Sequence, residues 1–344
     1  DVALADLDRD GDLDLVEGNW EAFDLVRFGD DGSFGDPFVL GVERGATTSV
    51  ALGDLDLDGD PDLVTGDGRG ADRVWNNVGG SFADSGQRLG TEPTTDVALW
   101  DVDHDGALDL LTAARGGGNG FWLNDRAGRF VSSGQARGTG RTTALAPGDV
   151  DRDGDVDLVA GNEDRASTLW LQSLAGTWGG ATLVPELPSP IDSGGSRGLT
   201  LADIELDGDV DLVLARGTAG SVVLRNDGAG AFTLAQLLSP AIDSRAIAAG
   251  DIDGDGDADL IESRAGDTTT TSPKPDRIWL NDGAGFFVLD DDVTLDNDHD
   301  AHIVALVDVD GDGDLDYVLT DELDSRPQCL DCGIRIYTNE GGAF

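Results

Sequence analysis

The sequence has no methionine, a single lysine (Lys274), two cysteines, two tyrosines and three histidines in 344 residues. Each scarcity removes a class of reading. Without Met, and with a start at Asp1 that falls inside a repeat, the chain is expected to be a processed or trimmed part of a longer product whose targeting information lies outside it. No apolar run approaches the ~20 residues that carry a helix across a bilayer, and no secretory leader is visible, so no membrane insertion is expected. Cys329 and Cys332 form one C-x-x-C with no second pair or neighbouring His, which falls short of a four-ligand zinc site. They read as a short-range disulfide stapling a loop, with a redox or metal pair as the alternative. There is no nucleophile-elbow or metalloprotease motif, and one of the three His residues, His104, lies inside an acidic loop, so catalysis finds little support.

Positive charge is scarce as well. Against 69 Asp and Glu stand 22 Lys and Arg, a net charge of −47, which argues against nucleic acid or an anionic membrane as partner. Such a charge resembles that of a disordered acidic polymer until the acidic residues are placed, because disorder needs low hydrophobicity and unpatterned charge. Here hydrophobic residues make up 39% and the charge is strictly patterned: 34 of the 69 acidic residues occupy odd positions of seven loops.

The segment DLDRDGDLDL at Asp6 recurs from Asp54, Asp101, Asp149, Asp203, Asp251 and Asp308, at spacings of 48, 47, 48, 54, 48 and 57 residues. That period suits propeller blades of four short strands, and nonapeptide β-helix repeats are excluded by it. Each period carries the same strand signals: an apolar strand A before the loop (VALAD, SVALGD, DVALWD), strand B after it (DLVEG, DLVTG, DLVAG), strand C (DRVWN, GFWLN, DRIWL), a Gly-rich turn such as NDGAGF, and a short strand D. The expected fold is all-β, one seven-bladed β-propeller domain of four-stranded antiparallel blades over 1–344. Its blades are expected at about 1–45, 46–92, 93–140, 141–194, 195–242, 243–298 and 299–344, closing into a ring because each isolated blade would expose two apolar faces. The residues three before each loop (Ala51, Ala98, Ala146, Thr200, Ala248, Ala305) are small, as crowding of inner strands requires. The last blade stops at Phe344, where strand D opens in the others. Its outer strand is expected from a longer intact chain, or from a neighbouring chain by self-association through the open edge.

Within each loop the odd positions are candidate metal ligands: Asp6, Asp8, Asp10, Asp12 and Asp14; Asp54, Asp56, Asp58, Asp60 and Asp62; Asp101, Asp103, Asp105, Ala107 and Asp109; Asp149, Asp151, Asp153, Asp155 and Asp157; Asp203, Glu205, Asp207, Asp209 and Asp211; Asp251, Asp253, Asp255, Asp257 and Asp259; Asp308, Asp310, Asp312, Asp314 and Asp316. Calcium takes six to eight oxygens, and alternating carboxylates on a tight loop converge on one point, with Gly at position 6 permitting the turn. Position 7 is expected to give a backbone carbonyl, which makes Ala107 acceptable, and Glu205 adds a methylene that distorts or weakens the fifth site. About seven calcium ions are expected. An EF-hand fails, since its twelfth position calls for a bidentate Glu and only Glu17 and Glu262 comply, in β-type flanks.

The pattern D-x-D-x-D-G-x-x-D-L after a V-A-x-x-D strand, followed by N-D-G-x-G-x-F, resembles the FG-GAP or VCBS repeats of bacterial surface proteins, lectins and integrin α-subunit propellers, over nearly the whole chain. What the resemblance implies is the propeller fold, calcium in the A–B loops and a secreted or cell-surface setting. It implies no activity, because such relatives include adhesins, lectins and parts of polysaccharide lyases.

Function is therefore read as a calcium-stabilised binding or adhesion module for a glycan or protein ligand. The alternatives are a structural subunit of a surface assembly and a lyase-type enzyme. Six residues before each loop stand Thr48, Thr95, Thr143, Arg197, Arg245 and His302, at the expected channel mouth. Arg197, Arg245 and His302 could hold a carboxylate or sulfate, or else pair with local Asp192, Asp243 and Asp300. The run Asp296, Asp298, His299, Asp300 and His302 reads as a solvated acidic loop or an extra metal site. Trp75, Trp122, Trp170 and Trp279 read as blade packing, whereas Trp20, in a B–C connection, is an exposed stacking surface or a covered ring.

Overall fold

The computed structural model describes residues 1–173, 177–180, 182–183, 195–238, 243–264, 276–290, 295, 301–321, 334–342 and 344. The cysteine pair and the 296–300 run lie outside them. Among the described residues there is no helix. The strands form six sheets of four and one of three, with two small two-stranded hairpins besides. These sheets are the seven antiparallel blades of a β-propeller, each a meander in chain order.

Two compact units divide the chain: Asp1–Pro147 with Gly154–Ala160 and Gln172–Ala181, and Gly148–Asp153 with Gly161–Leu171 and Thr182–Phe344. The first holds three complete blades. In the first blade Val2–Ala5, Asp14–Glu17, Asp24–Arg27 and Phe38–Leu40 pair in order, with Leu4 opposite Leu15 and Val16 opposite Val26. Thr47–Gly53, Asp62–Asp67, Asp72–Val78 and Ser81–Leu89 make the second, and Thr94–Trp100, Asp109–Ala114, Gly120–Asn124 and Phe130–Ser132 the third. In the second unit the blades are Gly198–Ala202, Asp211–Ala215, Val222–Arg225 and Thr233–Leu237, then Ser244–Gly250, Asp259–Arg264, Arg277–Asn281 and Phe287–Leu289, then Ala301–Val307, Asp316–Asp321 and Ile334–Tyr337. The strands of the fourth blade are apportioned between the units.

After its first Asp, strand B is mostly apolar because it is covered on both faces, and Asp14–Glu17, Asp109–Ala114 and Asp211–Ala215 are buried at every position. The core lies between consecutive blades. Leu7, Val16, Val26 and Leu40 of the first blade pack with Val50, Leu63 and Trp75 of the second. Leu55, Val64, Val74 and Leu89 of the second pack with Val97, Leu110 and Phe130 of the third, and Trp279 and Phe287 close the corresponding layer between the fifth and sixth. Trp75, Trp170 and Trp279 are buried, and Trp122 packs partly covered against the second layer. Position 2 of the acidic loops belongs to this core. Leu7, Leu55 and Ile204, at position 2, are fully buried, so each loop is pegged by an apolar side chain between its carboxylates.

Candidate metal centre

Each acidic loop joins strand A to strand B, and the local chemistry of Asp winds it. In the first loop, Asp10 N donates to Asp8 Oδ1 (3.2 Å), Gly11 N to Asp6 Oδ2 (3.2 Å) and Asp12 N to Asp10 Oδ1 (3.0 Å). These Asx-type turns bring positions 1, 3 and 5 to one side. Ligand oxygens of Asp6, Asp8 and Asp10 lie within 4.8 Å of one another, as do those of Asp54, Asp56 and Asp58, of Asp101, Asp103 and Asp109, and of Asp251, Asp253 and Asp255. Asp6 Oδ1 is buried and has no hydrogen-bond partner. A lone carboxylate oxygen beside two further carboxylates suits a hard divalent cation, and the all-oxygen donor set of these loops fits calcium. The carboxylates at positions 1, 3 and 5 would hold it, and in the third loop those at 1, 3 and 9. In the fourth loop Asp149, Asp151 and Asp153 fall in one unit and Asp155 and Asp157 in the other.

Winding the loop this tightly needs left-handed backbone twice. Gly at position 6 has positive φ in all seven loops, and so does position 4, which is Gly only at Gly254 and Gly311. Arg9, Leu57, His104, Arg152 and Leu206 adopt φ of 55–65° there. Non-glycine residues held in this region cost on the order of 1 kcal/mol each.

Position 9 acts as a clasp. Asp62 accepts Leu55 N at 3.1 Å and Asn77 N at 2.7 Å, one on each carboxylate oxygen. Asp14, Asp109, Asp211, Asp259 and Asp316 do the same with position 2 and with the end of strand C. Burial lifts the carboxyls of Asp62, Asp109 and Asp259 to about 6; the two backbone N–H bonds pull the other way and nearby loop carboxylates push up.

The residue at the end of strand C was visible in sequence only as turn chemistry. Asn77 Nδ2 donates to Leu7 O of the preceding blade's loop (2.8 Å) and to Pro61 O of its own (3.0 Å). Asn124, Asn226, Asn281 and Asn339 repeat both bonds, and Gln172 reaches Val102 O at 2.7 Å. This amide therefore ties consecutive loops together. Its recurrence in six blades, 15 residues after position 9 in four of them and 22 and 23 after it in the last two, was the available signal.

Position 7 has a role that the expected carbonyl does not capture. Arg9 Nε lies 2.7 Å from Asp60 Oδ1, His104 Nε2 lies 3.1 Å from Asp155 Oδ1, and Arg152 pairs with Asp209. A base at position 4 of one loop thus meets the carboxylate at position 7 of the next. Where position 4 is Leu57, the next loop has Ala107.

The fifth loop differs. Glu205 Oε2 lies 3.0 Å from Arg225 Nε, and burial, with Asp211 beside it, pushes the Glu205 carboxyl up to about 7.

Of the basic residues expected at a channel mouth, Arg197 and Arg245 both face Asp243, at 3.2 and 3.9 Å. The local pairing weighed in the sequence is therefore present. His302 lies in strand Ala301–Val307. The threonines of the same series serve blade contact: Thr48 Oγ1 donates to Thr94 O (2.8 Å) and Thr95 Oγ1 to Thr142 O (2.7 Å). Trp20 is 49% exposed, with the Arg69 guanidinium 4.5 Å from its ring centroid and Arg69 paired to Glu21 at 2.5 Å. Among the described residues no helix is long and apolar enough to cross a membrane.

The FG-GAP-like repeat matches this sequence over residues 6–65, 54–112, 101–160, 149–214 and 203–261, each match running from one acidic loop through the next. The chain belongs to the FG-GAP-like repeat family. The loop from Asp308 lies beyond the last matched residue and is assigned by its sequence. No curated protein matches by sequence. Among solved structures, the chain is similar to BBS1N, crystallised in complex with ARL6DN and soaked with mercury, at 12% identity, covering 99% of this chain and 92% of that one with a TM-score of 0.65. It is similar also to the BP39L lectin from Burkholderia pseudomallei, at 15% identity, covering 97% and 94% with a TM-score of 0.65. At these identities the likeness is one of fold.

Proposed function

We propose that this FG-GAP-like propeller is an extracellular binding module, stabilised by calcium in its acidic loops, whose ligand is a glycan or a protein surface. The observation that carries the metal reading is the convergence of positions 1, 3 and 5 on one point with Asp6 Oδ1 buried and unpartnered. Empty loops of this charge repel themselves, so metal-binding free energy is folding free energy, and the millimolar calcium found outside cells is enough for modules of this kind. Binding rather than turnover is supported by structural neighbours that include a lectin and a protein crystallised with a partner. Trp20 supports it too, a half-exposed ring with the Arg69 guanidinium, paired to Glu21, stacked over it.

A glycan array and a uronic-acid polymer assay, run with calcium and with chelator, test both halves. Calcium-dependent retention of a glycan without cleavage is expected, together with a sharply lower melting temperature in chelator. An unchanged melting curve after confirmed metal removal would overturn the calcium reading. Cleavage of the polymer would replace binding with a lyase activity.

A further inference from the structure

We propose that the fifth loop holds no calcium, because the guanidinium of Arg225 serves as its resident cation. This rests on the calcium reading of the other loops and departs from it at one blade. Two departures from the repeat coincide there. The fifth loop alone has Glu, Glu205, at position 3, and the fifth blade alone has Arg at the place that precedes the inter-blade amide, here Asn226. The other blades have Phe28, Asn76, Leu123, Leu171, Leu280 and Thr338 at that place.

The structure brings the two together. Arg225 is the last residue of strand Val222–Arg225, and its Nε lies 3.0 Å from Glu205 Oε2. Its Nη2 donates to Ala284 O in the turn of the sixth blade, so the guanidinium is held from both sides. The extra methylene of Glu205 lets the carboxylate reach that guanidinium. An aspartate at position 3, as in the other six loops, is shorter.

The rest of the fifth loop is built as the second is, where Asp54 accepts Asp58 N and Gly59 N and Asp60 pairs with Arg9, so the departure is confined to position 3. Asp203 accepts Asp207 N (3.1 Å) and Gly208 N (2.9 Å), and Asp209 pairs with Arg152 of the preceding loop. A divalent ion entering the fifth loop would face two fixed guanidinium charges, Arg225 at position 3 and Arg152 at position 7, where the second loop has only Arg9 at position 7. The reach and charge of an arginine fork let it stand where other loops need a metal.

Bound calcium per chain, counted by mass spectrometry after stripping and re-equilibration of the full chain in millimolar calcium, decides the matter. Asp207→Asn keeps an acceptor for Asp209 N and should leave the count unchanged, whereas Asp58→Asn in the second loop should lower it by one ion. Glu205→Asp combined with Arg225→Leu, which restores residues used in other blades, should raise the count by one. A loss of one ion in Asp207→Asn, or no gain in the double variant with its circular dichroism intact, would overturn the proposal. Absence of bound calcium in every form would overturn the calcium reading itself.

Discussion

Arg9 and Asp60, 51 residues apart in different blades, form an ion pair of 2.7 Å in which the Asp60 side chain is only 8% exposed. Arg9 also donates from Nη2 to Asp58 O at 2.9 Å, so one guanidinium spans two positions of the next acidic loop. The first four loops vary this contact together. Arg9 meets Asp60, His104 meets Asp155 and Arg152 meets Asp209, while Leu57 precedes a loop with Ala107. Three position-4 bases thus meet position-7 carboxylates, and the first leucine precedes an alanine; Leu206 and Gly254 are followed by Asp257 and Asp314, so the carboxylate is kept there without a base before it.

That pattern predicts non-additive mutations. Arg9→Leu should destabilise by about 1 kcal/mol, since it leaves the covered Asp60 carboxylate without its cation. Asp60→Ala alone should cost a similar amount. The double variant, which copies the natural Leu57 and Ala107 combination, should cost less than the two singles together by roughly 0.5–1 kcal/mol. Urea midpoints at saturating calcium measure this. Strict additivity would show that the pair carries no coupling.

Asp62 gives a second test, because its effect should not depend on metal. Both its oxygens accept buried backbone N–H groups, from Leu55 and Asn77. Asp62→Ala orphans both donors and should destabilise by about 2–4 kcal/mol. The same loss should appear in calcium and in chelator. Asp58→Ala, at an exposed ligand position, should lose stability only when calcium is present. Equal metal dependence of the two variants would contradict the division of labour between positions 5 and 9.

How much of this was legible in the sequence depends on the range of the interaction. The loops, the order of strands and the buried tryptophans follow from local pattern, because a period of two in the strands and alternating Asp with Gly at position 6 are each complete within about ten residues. Position 4 was not legible: Arg9, Leu57 and His104 carry no signal for left-handed backbone, and they adopt it because the carboxylates on either side fix the loop. The amide at the end of strand C was hidden for a different reason. Asn77 looks like half of a turn motif, and its other partner, Leu7 O, lies 70 residues upstream. The arginines near Asp243 show the same limit. Sequence places Arg197 and Arg245 in equivalent positions of neighbouring blades, but only the packing of those blades sets both against one carboxylate.

Asn124 tests the inter-blade amide. Its Nδ2 donates to Leu55 O at 2.8 Å and Leu108 O at 3.0 Å, both buried or nearly so. Asn124→Asp is isosteric but sets a carboxylate against two carbonyls and should destabilise by about 3 kcal/mol or more, whereas Asn124→Gln, the choice made naturally at Gln172, should cost about 1 kcal/mol. Thermal melts of the two variants should rank in that order. A tolerated Asp would mean that the bridge is dispensable.

Asp96 and Asp72 give the protein a pH dependence separate from its metal loops. Asp96 accepts Leu145 N at 2.7 Å and Ser49 Oγ at 3.0 Å, and Asp72 accepts Asp67 N at 2.9 Å and Thr94 Oγ1 at 3.1 Å. Burial outweighs these hydrogen bonds and raises both carboxyls to about 6. The unfolded chain has ordinary aspartates near ~3.9, so between these values the folded state binds protons that the unfolded state does not. The stabilisation from protonating these groups is complete below about pH 4 and is lost as pH rises through about 6. In metal-free buffer Asp96 should therefore make the protein more stable at pH 5 than at pH 7.5, by on the order of 1 kcal/mol. Asp96→Asn imitates the protonated side chain and should flatten that part of the slope, with its largest gain over the parent above pH 7. Parallel stability curves for the parent and Asp96→Asn from pH 5 to 7.5 would show that Asp96 does not titrate as its burial requires.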